Sequence, residues 1–147
     1  MEYKKILIGT DGGELMDPVY DHGAYLAQLT DATVHVAYVL DVAGFTAYPI
    51  DASWENMYDV LLSEGKEIIA NAKRALTARG VREDRVVAEV LDGHPAEELD
   101  VYAESHEVDL IIIGSHGRKG LDRLLIGSVA DKVIRGAKVP VLVIRSQ

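Results

Sequence analysis

A chain of 147 residues, 48% of them apolar and none of them cysteine, has room for one compact domain with a real core. Without cysteine it excludes disulfides, thiolate metal sites and thiol nucleophiles, and its formal charge of −9 opposes a general nucleic-acid binder, which needs clustered Lys and Arg. No window approaches the ~20 apolar residues of a membrane span, and the start MEYKKILIGTDGG has no signal-peptide stretch. The expectation is a cytoplasmic domain spanning 1–147, with neither membrane nor nucleic acid as partner.

KKILIGT (4–10) is an apolar run closed by DGG, which predicts a buried strand ending in a turn. From Glu14 to Thr30, Leu15, Val19, His22, Leu26 and Leu29 recur at three- and four-residue steps, one face of a helix, with Pro18 tolerable near its first turn. TVHVAYVL (33–40) is β-branched and predicts a second strand. DVAGFTAYPIDAS (41–53) has turn chemistry and no period, so it reads as a loop. A helical stripe from Trp54 through Met57, Leu61, Ile68 and Ala72 to Leu76 then closes at Arg79-Gly80, a basic last turn with a capping glycine.

RVVAEVL (85–91) is the third predicted strand, Pro95 opens a helix carrying Leu99 and Ala103, and VDLIIIG (108–114) is the fourth strand. A helix from about Val129 to Arg135 and a final strand VPVLVIR (139–145) complete the chain. Runs such as ILI, LIII and VLVI are apolar on both faces, as in a parallel sheet covered by helices on each side. The predicted class is therefore a single doubly wound, Rossmann-like α/β domain with five strands and four helices.

The densest chemistry lies in IIIGSHGRKGLDRLLIGSVADKVI (111–134). In an open α/β sheet ligands gather beyond the carboxyl ends of the strands, where both GTDGG and GSHG fall. Gly114 and Gly117 would allow positive φ and let successive N–H groups face phosphate oxygens. Gly127 would open the next helix, with Ser128 as N-cap and Asp131 three residues on, so that helix start could face an anion. Residues 114–136 carry Arg118, Lys119, Arg123, Lys132 and Arg135 against Asp122 and Asp131, a local balance of +3. A helix terminus contributes only ~0.3–1 kcal/mol to an exposed anion, and micromolar binding needs about 8 kcal/mol. A triphosphate alone falls short; a buried base and a bridging divalent cation would make up the difference, which points to a nucleotide.

Taken together, these residues resemble the universal stress proteins, in particular their ATP-binding branch. ILIGTDGG is similar to the family's opening strand and turn, GHPAEEL to its third helix start, and GSHGRKGLDRLLIGSVADKVI to its nucleotide motif. The resemblance implies sheet order 3-2-1-4-5 and the adenine nucleotide alpha hydrolase-like fold, with ATP between the ends of strands one and four. It implies that Thr10 and Asp11 line an adenosine pocket, Asp11 accepting from base or ribose, and that Val39 meets adenine through its backbone. Gly114, His116, Gly117, Gly127, Ser128 and Val129 would surround ribose and phosphates, with Arg118 as a neighbouring cation. Mg²⁺ or Mn²⁺ would be held through the phosphates, with no metal-ligating side chain; AMP, ADP or cyclic AMP are alternative occupants. Two positions depart from the pattern: Gly9 stands where proline or another small residue is usual, and Gly13 replaces serine.

Blander readings compete at several positions. Asp11-Gly12 is also an ordinary turn pair, His116 an ordinary loop histidine, and Lys119 a solvated charge. His94, Glu97 and Glu98 suit helix capping better than a metal. Tyr3, Tyr20, Tyr25, Phe45 and Tyr48 form no base-stacking pattern, so packing is their default role. G-x4-G-K-[S/T] and G-x-S-x-G are both absent, so no P-loop or serine hydrolase is expected, and no catalytic residue is assigned. The expected function is an ATP-binding sensor or regulator of the stress response that acts on a protein partner not identified by the sequence, with the segment 41–52 as its mobile element. The alternatives are slow ATP turnover or self-phosphorylation near Ser128, and an adaptor that works without nucleotide. A homodimer through the edge strand 139–145 is expected by both edge-pairing physics and the resemblance.

Overall fold

The computed structural model describes residues 1–41, 52–116 and 126–145, with side chains from residue 56 onward in the helix that starts at Ala52. Five strands, β1 (Lys5–Gly9), β2 (Thr33–Leu40), β3 (Val86–Asp92), β4 (Leu110–Gly114) and β5 (Val141–Ile144), form one sheet in the order β3-β2-β1-β4-β5. Every neighbouring pair is parallel. Four helices, α1 (Asp17–Thr30), α2 (Ala52–Ala78), α3 (Pro95–Ser105) and α4 (Ser128–Gly136), supply the crossovers among the described residues.

Strand alternation sorts the core onto two faces. Ile6, Ile8, Val34, Val36 and Ile112 pack under Val19, Ala24 and Ala27 of α1 and Ala72 and Leu76 of α2. Leu7, Ala37, Ile111 and Ile113 pack under Leu99, Tyr102 and Ala103 of α3 and Ala130 and Val133 of α4. Ile6, Leu7, Ile8, Ile111 and Ile112 are wholly buried, each worth roughly 1.5–3 kcal/mol of transfer free energy. This two-sided burial is why β1 and β4 read as unbroken apolar runs.

Several boundaries differ from expectation for local reasons. Glu14–Met16 form a single 3-10 turn, and α1 starts at Asp17 because Pro18 occupies its first turn. The second helix begins at Ala52, ahead of the expected Trp54, and ends at Ala78, so Arg79 lies just past its last turn. Gly80, at φ +100°, takes the left-handed conformation expected of it. Segment 42–51, most of the element expected to be mobile, lies outside the described residues. No described helix is long and apolar enough to cross a membrane.

At the end of the sheet where β1 and β2 begin, His35 of β2 is buried on the α3 face. Its Nδ1 lies 2.7 Å from the Tyr102 hydroxyl, and the Tyr102 ring stacks on His106 at 3.8 Å between centroids. Burial, with a smaller effect of Glu89, pushes the Tyr102 phenol up to about 12, so it holds its proton, and the direction of its bond with His35 follows the imidazole tautomer. Burial first, then His106 and Lys5, depresses the His35 imidazole below its ordinary 6.5. The unfolded chain thus takes up a proton that the folded chain refuses. The stability tied to His35 is complete above the ordinary histidine value and is lost as pH falls through the depressed folded value. His35→Gln should therefore narrow the drop in urea midpoint between about pH 7.5 and about pH 5. An equal drop in wild type and variant would remove His35 from the account.

Candidate functional site

The central strand stops before its neighbours do. β1 ends at Gly9 opposite Ala37, while β2 runs on to Leu40; Ile8 faces Ile112, while β4 runs on to Gly114. One more bond, Thr10 N–H to the Ala37 carbonyl at 2.9 Å, ends the β1–β2 ladder. In a parallel ladder the N–H and C=O of a residue turn to the same neighbour and alternate along the strand. Val39 therefore turns both groups towards the β1 side, past the last rung. The overhanging ends of β2 and β4 flank a notch, and a cleft of about 200 Å³ fills it.

Gly9, Leu99 and Ile113 form the floor of this cleft. A Cβ on Gly9 would stand 2.9 Å from Leu99 Cδ1 and 3.3 Å from Ile113 Cγ2, so the missing side chain is what lets α3 close on the sheet here. Thr10, Asp11 and Met16 line one side; Gly114, Ser115 and His116 line the other. Thr10 is buried, and its hydroxyl is committed to Tyr20 OH at 2.7 Å and to the Gly12 N–H at 3.1 Å. Asp11 Oδ1 accepts the Gly13 N–H at 2.8 Å, an Asx turn that fixes the carboxylate at the rim. Ser115 Oγ and His116 Nδ1 are 3.0 Å apart.

The start of α4 makes the remaining wall. Gly127, Ser128, Val129 and Ala130 all border the cleft, and the first intrahelical bond runs from Asp131 N–H to the Gly127 carbonyl at 3.0 Å. The amides of Ser128, Val129 and Ala130 are therefore free of helical partners and stand at the positive end of the helix dipole. The Gly127 N–H is spent on the Ser115 carbonyl at 2.6 Å, and the Ser115 N–H on the Ile144 carbonyl at 2.8 Å. The two ends of the glycine motif are thus tied to each other and to β5.

Two expectations fail in detail. Ser128 is the first helical residue and not the N-cap; Gly127 caps at φ −64°, ψ 162°, with no side-chain cap bond. Gly114 sits in extended backbone at the end of β4, and the described glycines with positive φ are Gly12, Gly80 and Gly93. Thr10, Asp11, Val39, Gly114, His116, Gly127, Ser128 and Val129 nonetheless border one cleft. Gly117, Arg118, Lys119 and Arg123 lie outside the described residues. Arg135 pairs with Asp131 on the surface of α4, 3.1 Å away, and is not part of the lining. No cluster of metal-ligating side chains occurs among the described residues.

The sequence model of the Universal stress protein family matches residues 2–145. The chain belongs to the universal stress protein family. It is 40% identical to universal stress protein MJ0531 of Methanocaldococcus jannaschii over 97% of this chain and 82% of that one. The structure of MJ0577, from the same organism, matches with a TM-score of 0.87 at 31% identity, covering 100% of this chain and 99% of the other. A universal stress protein from Archaeoglobus fulgidus, solved in complex with dAMP, shares the fold at a TM-score of 0.70 and 23% identity, over 97% and 98% of the two chains.

Sequence reasoning did not assign Met16, Pro95, Leu99, Ile113 or Ser115 to the cleft that this universal stress protein forms. Pro95 and Leu99 had carried only a helix start and an apolar stripe; their closeness to Gly9 comes from the packing of α3. Gly9→Ala should cost about 1–2 kcal/mol in chemical denaturation, because the new methyl meets a packed leucine and not solvent. A variant as stable as wild type would mean that Leu99 moves aside freely.

Proposed function

We propose that this universal stress protein binds ATP in the notch beyond β1 and uses occupancy to alter the surface it offers a protein partner. The observation that carries this reading is the pairing, in one cleft, of outward backbone groups on Val39 with the free first-turn amides of α4. Adenine presents donor and acceptor edges that match one N–H and one C=O, and phosphates match a helix N-terminus. The apolar floor of Gly9, Leu99 and Ile113 suits a base, and the Asp11 carboxylate at the rim suits a ribose or exocyclic amine. The adenine nucleotide held by the Archaeoglobus fulgidus relative supports the class of ligand. Mg²⁺ or Mn²⁺ would enter with the triphosphate, held by its oxygens.

The same reading gives ATP no dedicated turnover. Hydrolysis needs a positioned base or water-orienting group, and the described lining offers Asp11, already engaged in its turn, and His116, already beside Ser115. Denaturing freshly purified protein should release ATP and not ADP. Gly127→Val should abolish Mg·ATP binding in calorimetry while leaving the fold intact, because the backbone at 127 is one that valine adopts readily. Unchanged affinity would misplace the phosphates, and phosphate release by wild type above that variant would favour an enzyme.

A homodimer through β5 belongs to the same proposal. β5 pairs with β4 on one side, and Val141, Leu142 and Val143 are only partly covered. An apolar sheet edge is normally covered or paired. Sedimentation should give twice the 16.0 kDa chain mass; a monomer at all concentrations would retire the dimer.

A further inference from the structure

Tyr20 stands on the first turns of α1 and is 7% exposed. It is not among the residues that border the cleft. Its hydroxyl nevertheless lies 2.7 Å from Thr10 Oγ1, the first residue beyond β1. Thr10 Oγ1 also accepts the Gly12 N–H, and the next amide, Gly13, donates to Asp11 Oδ1. Gly12 has φ +73° and is pressed against Ile68 of α2, where a Cβ would come within 2.9 Å of the side chain. The turn that carries Asp11 is thus clamped from beneath by Tyr20 and from the side by α2.

The clamp is itself anchored. The Arg79 guanidinium lies 5.8 Å from the centroid of the Tyr20 ring. Arg79 is held by Asp21 at 2.6 Å, Asp17 at 3.3 Å and the Ala75 carbonyl at 3.0 Å. Burial, against a smaller opposing effect of the Thr10 hydrogen bond, pushes the phenol above its ordinary value, so it keeps its proton at neutral pH. A hydroxyl oxygen accepts twice, so Thr10 can serve Tyr20 O–H and Gly12 N–H together.

We propose that Tyr20 is a positioning residue for the nucleotide site, fixing through Thr10 the turn that sets the Asp11 carboxylate at the rim. This rests on the nucleotide reading above. Tyr20 acts at a distance: with no place in the lining, its hydroxyl reaches a ligand only by way of Thr10 and the turn.

Tyr20→Phe keeps the ring and deletes the hydroxyl. In ligand-free protein, amide exchange at Gly12 followed by NMR should quicken about tenfold while the β4 amides keep their protection. Mg·ATP affinity measured by calorimetry should fall roughly three- to tenfold, the worth of one hydrogen bond. Thr10→Val should weaken binding as well, and the double variant should be no weaker than Thr10→Val alone, since both changes break one chain of contacts. A residue that merely filled the core would give additive losses and leave Gly12 exchange in step with global stability. Wild-type exchange and affinity in Tyr20→Phe, or additive losses, would overturn the proposal. No Mg·ATP binding by wild type would sink the nucleotide reading itself, and Gly12 exchange would then decide the Tyr20 part alone.

Discussion

The early end of β1 governs the rest of this molecule. As the central strand it is paired on both sides, and it stops at Gly9 while β2 continues to Leu40 and β4 to Gly114. A strand ending flush with its neighbours would have satisfied the backbone of Val39 within the sheet. Because it ends early, polar backbone that would otherwise be internal faces a gap, and burial of such groups is costly unless something pairs with them. The strand order reverses at this point, so the chain leaving β1 and the chain leaving β4 bend to opposite faces and leave the gap open.

Labour around the cleft is divided between groups that build it and groups left for a ligand. The Thr10 hydroxyl, the Gly127 N–H and both backbone groups of Ser115 are all consumed in holding the rim together. What faces inward is the Val39 backbone, the Asp11 carboxylate and the first-turn amides of α4. Rigid support of this kind lowers the ordering cost of binding, which is where affinity is usually lost. The chain therefore spends hydrogen bonds on preorganisation, while Asp11, Ser115, His116 and Ser128 supply polar side chains to the lining.

The fold was legible because a parallel sheet covered on both faces writes itself as apolar runs, and LIII and VLVI admit few other readings. The notch was legible only in part. Its glycine turns stand out in sequence, but the register that makes Val39 overhang depends on where β1 stops, which no local pattern encodes. Ser128 looked like a cap because its side chain has the right chemistry, yet an extended Gly127 fills that role with its backbone and shifts the helix start by one. Gly114 read as a turn glycine although its position is extended strand. Tyr20 passed for packing because its partner, ten residues away, becomes a neighbour only when α1 folds back over β1.

The bond between Gly127 and Ser115 carries a consequence for how such a chain can diversify. It holds the residue after β4 beside the residue before α4, with Ser115 also moored to Ile144 of β5. Closure entropy grows only with the logarithm of length, so closure between these two anchors sets little limit on how many residues lie between them. The register of β4 with β5 and the start of α4 are set by bonds outside that stretch. Changes of length between the two anchors therefore fall where the scaffold is least sensitive to them.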